Sequence, residues 1–307
     1  MMLRWQWDRM RHGVPAQPDP GVFPVVKPTF ALPRAERGVV NATWIGHSTT
    51  LLQLGPVNVL LDPIFSERAS PVSFAGPRRW VSAPIPIDEL PPLDVVVVTH
   101  NHYDHFDEPT LRALVKRNPG AQWVTSMALA APLHALGAIH VTEMAWWDTR
   151  AVATQHGNVH VGCTPAQHFS ARGPFDRNET LWSGFTLRTA EANVFFAGDT
   201  GLHPEFAKIR ERFGPFDLLV IPISAYNPRW FMKVVHMNPD DAMIAYRALA
   251  DGVAVPMLAV HWGTFKLTDE PMDEPPRLMR ELWEKESLPA PALWVLKHGE
   301  TRELTPR

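Results

Sequence analysis

Apolar residues fall in short runs along the chain, set off by glycine and proline. Residues 39–45, 49–54 and 57–61 are β-branched or leucine-rich, with Gly46 and the pair Gly55-Pro56 as hairpin turns between them. A proline-rich loop over 62–92 follows. Residues 94–99, Asp-Val-Val-Val-Val-Thr, form an uninterrupted apolar run, the pattern of a strand covered on both faces. From there strand and helix patterns alternate. Helices are predicted over 108–116, 127–136, 204–213, 239–250 and 276–285. Asp107 is the expected N-cap of the first and Asn238 of the fourth. Strands are predicted over 123–125, 140–142, 160–164, 181–187, 192–197, 217–221, 255–260 and 292–296. A meander followed by strand–helix alternation predicts an α/β protein with two sheets sandwiched between helices. No linker of glycine and serine and no fixed-period repeat divides it. One domain over 37–307 is expected, preceded by a proline-rich arm over 1–36 without clear periodicity.

Composition narrows the function classes. A formal charge of −3 gives no overall basic field for nucleic acid, so no nucleic-acid partner is expected. The longest apolar runs fall far short of the ~18 residues of a membrane span, and Arg4, Asp8, Arg9 and Arg11 break any leader-like opening. Cys163 is the sole cysteine, so no internal disulfide forms, and a cytoplasmic setting is expected. Trp5 and Trp7, flanked by Arg4, Arg9 and Arg11, are candidates for contact with a membrane surface or a second subunit; packing on the protein's own surface is the commoner outcome.

The chemistry concentrates where the buried run ends. Thr99-His100-Asn101-His102-Tyr103-Asp104-His105 places three imidazoles and a carboxylate at a strand's carboxyl end, the edge where α/β folds carry their sites. Such a cluster would repel itself in a purely structural role. Neutral imidazoles and carboxylates are the usual ligands of zinc and related divalent ions. His100 and His102, two apart on extended backbone, point the same way, and Asp104 and His105 can face a second position.

This stretch resembles the His-x-His-x-Asp-His motif of the metallo-β-lactamase fold superfamily. Three further strand ends resemble it in order: Thr164-Pro165-Ala166-Gln167-His168, Phe196-Ala197-Gly198-Asp199-Thr200 and Ala259-Val260-His261-Trp262-Gly263-Thr264. Flanking words, among them Asp62-Pro63-Ile64-Phe65-Ser66, Tyr226-Asn227-Pro228-Arg229-Trp230-Phe231-Met232 and Lys297-His298-Gly299-Glu300, are similar to the N-acylphosphatidylethanolamine-hydrolysing phospholipase D family.

The resemblance implies an αββα sandwich, two central mostly antiparallel sheets flanked by helices. It implies two zinc ions, or similar divalent transition metals, per chain. His100, His102 and His168 would hold one, Asp104, His105 and His261 the other, and Asp199 both; Asp62 would brace the metal loop. Tyr103 and His236 would contact substrate, with Asp104 and His236 as the catalytic pair. The implied reaction is phospholipase D-type cleavage of N-acylphosphatidylethanolamine-like lipids by a metal-bridging hydroxide. The family's mammalian enzymes carry a tryptophan and a bile-acid-binding lysine after the third histidine. Phe169-Ser170-Ala171 stands there here, so bile-acid regulation is not expected.

The alternatives are a lactonase of the ascorbate-phosphate lactonase type on the same fold, a nuclease, and a metal-binding scaffold without turnover. Substrate access could come through peripheral membrane contact, and a homo-oligomer is compatible with the sequence. His47 is balanced between pocket lining and ordinary hairpin polarity. His12, His134, His140, His156 and His160 are expected to be structural or solvated, and His203 to serve a helix start.

Overall fold

The computed structural model describes residues 2–305. The first element, α1 (Met2–His12), is a helix that the hydrophobic pattern did not announce. Eleven largely polar residues make a marginal helix in water, so its docking must hold it. Trp5 is the anchor: its ring lies 5.6 Å from that of Phe231 and its Nε1–H donates to Asp269. Arg9 adds an ion pair to Asp269 at 3.0 Å. Trp7 is left mostly exposed.

The first sheet contains β1 (Val40–Gly46), β2 (Thr49–Leu54), β3 (Val57–Leu61), β4 (Val95–Val98), β5 (Gln122–Ser126) and β6 (His140–Met144). Helix α2 (Glu108–Arg117) links β4 to β5, and α3 (Ala130–Ala135) links β5 to β6. The second sheet begins with β7 (Thr149–Thr154), β8 (Gly157–Thr164), β9 (Gly184–Arg188) and β10 (Asn193–Phe196). After α4 (Phe206–Phe213) come β11 (Leu218–Pro222), the one-turn α5 (Arg229–Met232), α6 (Pro239–Ala250) and β12 (Met257–Val260). The chain then runs through α7 (Glu274–Lys285), β13 (Leu293–Trp294) and β14 (Thr301–Leu304).

Strand order is β14-β1-β2-β3-β4-β5-β6 in one sheet and β13-β12-β11-β10-β9-β8-β7 in the other. The expected αββα sandwich is present. Each sheet is mixed, however, rather than mostly antiparallel: β14 to β3 and β7 to β10 pair antiparallel, the remaining neighbours parallel. The hairpin turns read from the sequence join β1 to β2 and β2 to β3; β14 comes from the far end of the chain to pair with β1, and a long loop separates β8 from β9. Each parallel step needs a long crossover, and the loop before β4 and helices α2, α3, α4, α6 and α7 provide them.

Alternate side chains of the strands fill two cores. Val59, Leu61, Val95 and Val97 meet Val161, Phe185, Leu187 and Phe196 between the sheets, and the same cluster extends to Tyr246 and Trp283 under α6 and α7. Leu60, Val96 and Val98 face the other way, onto Leu111 and Leu114 of α2 and Leu133 of α3. That two-sided cover explains the unbroken apolar run before His100. Asn238 caps α6 as expected, accepting from Asp241 N–H at 3.0 Å. Asp107 has the cap's place but not its bond: its carboxylate accepts Ser66 Oγ–H at 2.8 Å and Thr110 Oγ1–H, tying α2 to the loop after β3.

Candidate metal centre

Four strand tips of the sandwich, those of β4, β8, β10 and β12, deliver His100, His168, Asp199 and His261 to one rim. The turn after β4 is closed by His105 and Phe106 N–H bonds to His102 O, which brings His102, Asp104 and His105 round to the same rim. Gly198 makes the β10 turn possible. Its φ is 61°, and a Cβ there would lie 2.8 Å from Ser183 O, so only glycine lets Asp199 come this close to β9.

The first cluster is His100, His102 and His168. His100 Nε2 lies 2.9 Å and His168 Nε2 3.1 Å from His102 Nδ1. The outer bonds fix the tautomers. His168 Nδ1 faces the Val235 carbonyl at 2.9 Å, which can only accept, so the proton is on Nδ1 and Nε2 is bare. Thr99 Oγ1–H is spent on Asp62 Oδ2 at 2.6 Å, so this oxygen accepts from His100 Nδ1–H at 2.9 Å and again Nε2 is bare. Two lone pairs therefore converge on a third nitrogen that has at most one proton to offer. Burial keeps the rings neutral, with His168 pushed down to about 3, His102 to about 4 and His100 well below the usual imidazole range. A divalent cation fits this donor set.

The second cluster gathers around Asp104 and Asp199. His105 Nε2 is 3.2 Å and His261 Nε2 3.1 Å from Asp199 Oδ2, and each is 3.6 Å from Asp104 Oδ2. His105 Nδ1–H donates to Asp62 Oδ2 at 2.7 Å, so Asp62 braces His105 and, through Thr99, His100. Asp199 Oδ2 also lies 3.8 Å from His168 Nε2 and 4.0 Å from His100 Nε2. One carboxylate oxygen thus stands between the two imidazole clusters. Burial pushes both carboxyls up, but the neighbouring histidines outweigh it and hold Asp104 and Asp199 well below the usual carboxylate range. In return, and against burial, Asp199 and Asp104 raise His105 well above its ordinary value and His261 to about 9. His105 Nε2, His261 Nε2 and Asp199 Oδ1 are buried without a hydrogen bond, which suits a site built for an ion.

The remaining candidates are placed as follows. His236 is buried at the end of α5, its Nδ1 4.0 Å from Asp199 Oδ2 and without a hydrogen bond, its ring 4.9 Å from that of His168. Tyr103 is near the clusters, but its hydroxyl donates to Arg172 O at 2.8 Å and the Arg172 guanidinium covers its ring at 4.0 Å. Phe169 walls the first cluster, its ring 4.6 Å from that of His102. His203 stacks on Phe206 at 4.1 Å and its Nδ1 accepts from Glu205 N–H, the expected helix-start role. His134 and His156 bond Ala138 O and Asp94, away from the centre.

His47 is the residue that sequence reasoning left undecided. It belongs with Asp104, His105 and His261, its Nε2 lying 2.8 Å from Asp104 Oδ2. The available signal was its place at the β1–β2 turn, beside the ligand-bearing rim.

Comparison with known proteins gives the family and the fold. Residues 57–262 match the family model described as beta-lactamase superfamily domain. The chain is 38% identical to N-acyl-phosphatidylethanolamine-hydrolyzing phospholipase D 1 of Caenorhabditis elegans, over 87% of this chain and 76% of that protein. It is 34% identical to the mitochondrial N-acyl-phosphatidylethanolamine-hydrolyzing phospholipase D of Saccharomyces cerevisiae, over 80% of this chain and 52% of that protein, so it spans about half of the yeast relative. Among solved structures, a metallo hydrolase from the archaeon Ignicoccus hospitalis shares the fold with a TM-score of 0.62 at 20% identity, covering 87% of this chain and 98% of that one.

Proposed function

This chain belongs to the metallo-β-lactamase superfamily of metal-dependent hydrolases, and from that premise we propose that it hydrolyses phosphodiesters, with N-acylphosphatidylethanolamine-like lipids as the substrate class. The observation that carries the proposal is Asp199 Oδ2, which lies within 4.0 Å of imidazole nitrogens from both clusters. In this reading His100, His102 and His168 would hold one zinc ion and Asp104, His105 and His261 the other, with Asp199 within reach of both. When bound, such a pair supplies Lewis acidity toward a phosphoryl oxygen and a water-derived nucleophile at neutral pH.

The chain's own residues do the rest. Asp104, held ionised, accepts a hydrogen bond from the attacking water and orients it. Burial keeps His236 well below the usual imidazole range, so it acts as a neutral hydrogen-bond donor to the phosphoryl group. Tyr103 offers substrate its ring edge, since its hydroxyl is engaged by Arg172.

Among the described residues no helix is long and apolar enough to cross a membrane, so a lipid would be reached from the side. Exposed Trp230 and Val234 flank the segment leading to His236, and exposed Trp7 and Met10 of α1 add to the apolar surface that residues 1–36 would bring to a bilayer.

The test is kcat/KM of zinc-loaded protein on a panel of N-acyl phospholipids, other phosphodiesters, lactones and β-lactams. Preference for the phospholipids is expected, with little or no β-lactam turnover. Preference for lactones over every diester would move the assignment to a lactonase. Full zinc content without turnover would leave a scaffold.

A further inference from the structure

We propose that His47 is a positioning residue of the metal centre, setting the second cluster by holding Asp104 through its side chain and the His261 turn through its main chain. The inference rests on the two-cation reading above.

His47 lies at the β1–β2 turn with φ 55°, a conformation that β-branched and most bulky residues avoid. Its side chain is fully buried. A carboxylate only accepts, so the 2.8 Å contact to Asp104 Oδ2 is an Nε2–H donation. That leaves Nδ1 as a bare lone pair, and Nδ1 indeed has no partner. A buried unpaired nitrogen is a cost. A structural role at this turn would be met more cheaply by an apolar or small residue.

The main chain completes the link. His47 N–H donates to Thr264 Oγ1 at 2.6 Å, and His47 O accepts His261 N–H at 2.9 Å and Trp44 Nε1–H at 2.8 Å. The His47 ring also lies against that of His261, centroids 4.1 Å apart. One residue therefore fixes Asp104 Oδ2 and the backbone that presents His261, two members of the second cluster distant in sequence. It makes no contact of this kind with His100, His102 or His168. Outer partners of metal ligands commonly set affinity by about 10–100-fold.

The test is a stepwise zinc titration against a competing chelator, with cobalt absorption as a second readout. The His168→Ala and His261→Ala variants identify which step belongs to which cluster. His47→Phe keeps the ring and removes the donor; His47→Gln keeps a donor of similar reach. His47→Phe is expected to weaken the second-cluster step by about 10–100-fold, change the cobalt spectrum of that site and leave the first step within about threefold. His47→Gln should restore most of the loss. An unchanged second step in His47→Phe overturns the proposal. So does equal weakening of both steps, which marks a general structural role, or a His47→Gln variant as weak as His47→Phe, which marks ring packing. A wild-type protein that takes up a single cation would instead overturn the two-cation reading, and this inference with it.

Discussion

Asp62 Oδ2 accepts the Nδ1–H of His105 at 2.7 Å, and that bond decides which nitrogen of His105 faces the centre. The same carboxylate takes Thr99 N–H on Oδ1 at 2.8 Å and Thr99 Oγ1–H on Oδ2 at 2.6 Å. Every hydrogen bond this side chain makes is an acceptance.

Asp62→Asn therefore conserves shape while reversing both partners of Oδ2, His105 Nδ1 and Thr99 Oγ1. The new amide N–H would face His105 Nδ1 and favour the tautomer with its proton on Nε2, where a cation would have to displace it. Zinc affinity of the second cluster should fall by about 10–100-fold, with the far-UV spectrum of the fold retained. Wild-type affinity in the variant would show that the tautomer is not set here.

Asp199 and His236 should separate cleanly. Asp199→Ala removes the oxygen shared by both clusters, so metal content and activity should fall together. His236 is near Asp199 and, in the proposed assignment, contacts substrate rather than a cation. His236→Ala should keep near-normal zinc while kcat/KM drops by about 10²–10⁴, the usual range for a positioned proton or hydrogen-bond donor. Zinc stoichiometry and turnover on the two variants decide it. Loss of metal from His236→Ala, or retention of both ions by Asp199→Ala, would reverse the assigned roles.

How much of this was legible beforehand follows from physics. The candidate positions could be read because metal-binding residue types follow apolar strands, whose pattern is local, and because those segments resemble a known family in order. Helix α1 could not, because its stability comes from Trp5 meeting Phe231 and Asp269 more than 200 residues away. Strand β7 hid for a different reason: only Val152 is buried along it, so no alternation marks it. Asp107 looked like a cap from its neighbours, yet Ser66, over 40 residues upstream, had a prior claim on its carboxylate. His47 stayed ambiguous because its bond to Asp104 spans 57 positions. Local pattern marked the rim; the contacts that brace it are long-range.

The two clusters should respond differently to pH. Asp199 and Asp104 hold His261 at about 9, and His105 also well above its ordinary value, whereas burial keeps His168 and His102 at about 3 and 4. Zinc binding to the second cluster must then displace protons at neutral pH, and its affinity should climb with pH up to about 9. The first cluster should be flat over the same range. The sign for stability is the reverse. A raised His261 stabilises the metal-free fold fully below its ordinary value of 6.5, and that contribution is lost as pH rises through about 9. Calorimetric titration in buffers of different ionisation enthalpy reads the released protons, and Tm of metal-free protein reads the stability. Identical pH slopes for both zinc steps would contradict the assignment.

Trp5 and Trp7 lie two residues apart on α1 and should do different work. Trp5 is buried against Phe231, and Phe231 belongs to the segment that leads into His236; Trp7 is 60% exposed. Arg4 reinforces the docking by stacking over Trp230 at 4.2 Å. Trp5→Ala should loosen α5 and lower kcat/KM on a soluble diester and on vesicles alike, because the disturbed part is the His236 segment. Trp7→Ala should leave the soluble diester unchanged and reduce turnover on vesicles, since an indole at a membrane surface contributes through its amphipathic ring. Paired assays on the two substrates, with vesicle co-sedimentation of both variants, read the difference. Equal activity of Trp7→Ala and wild type on vesicles would remove α1 from lipid contact. Its remaining role would then be to clamp the Arg229–Met232 turn.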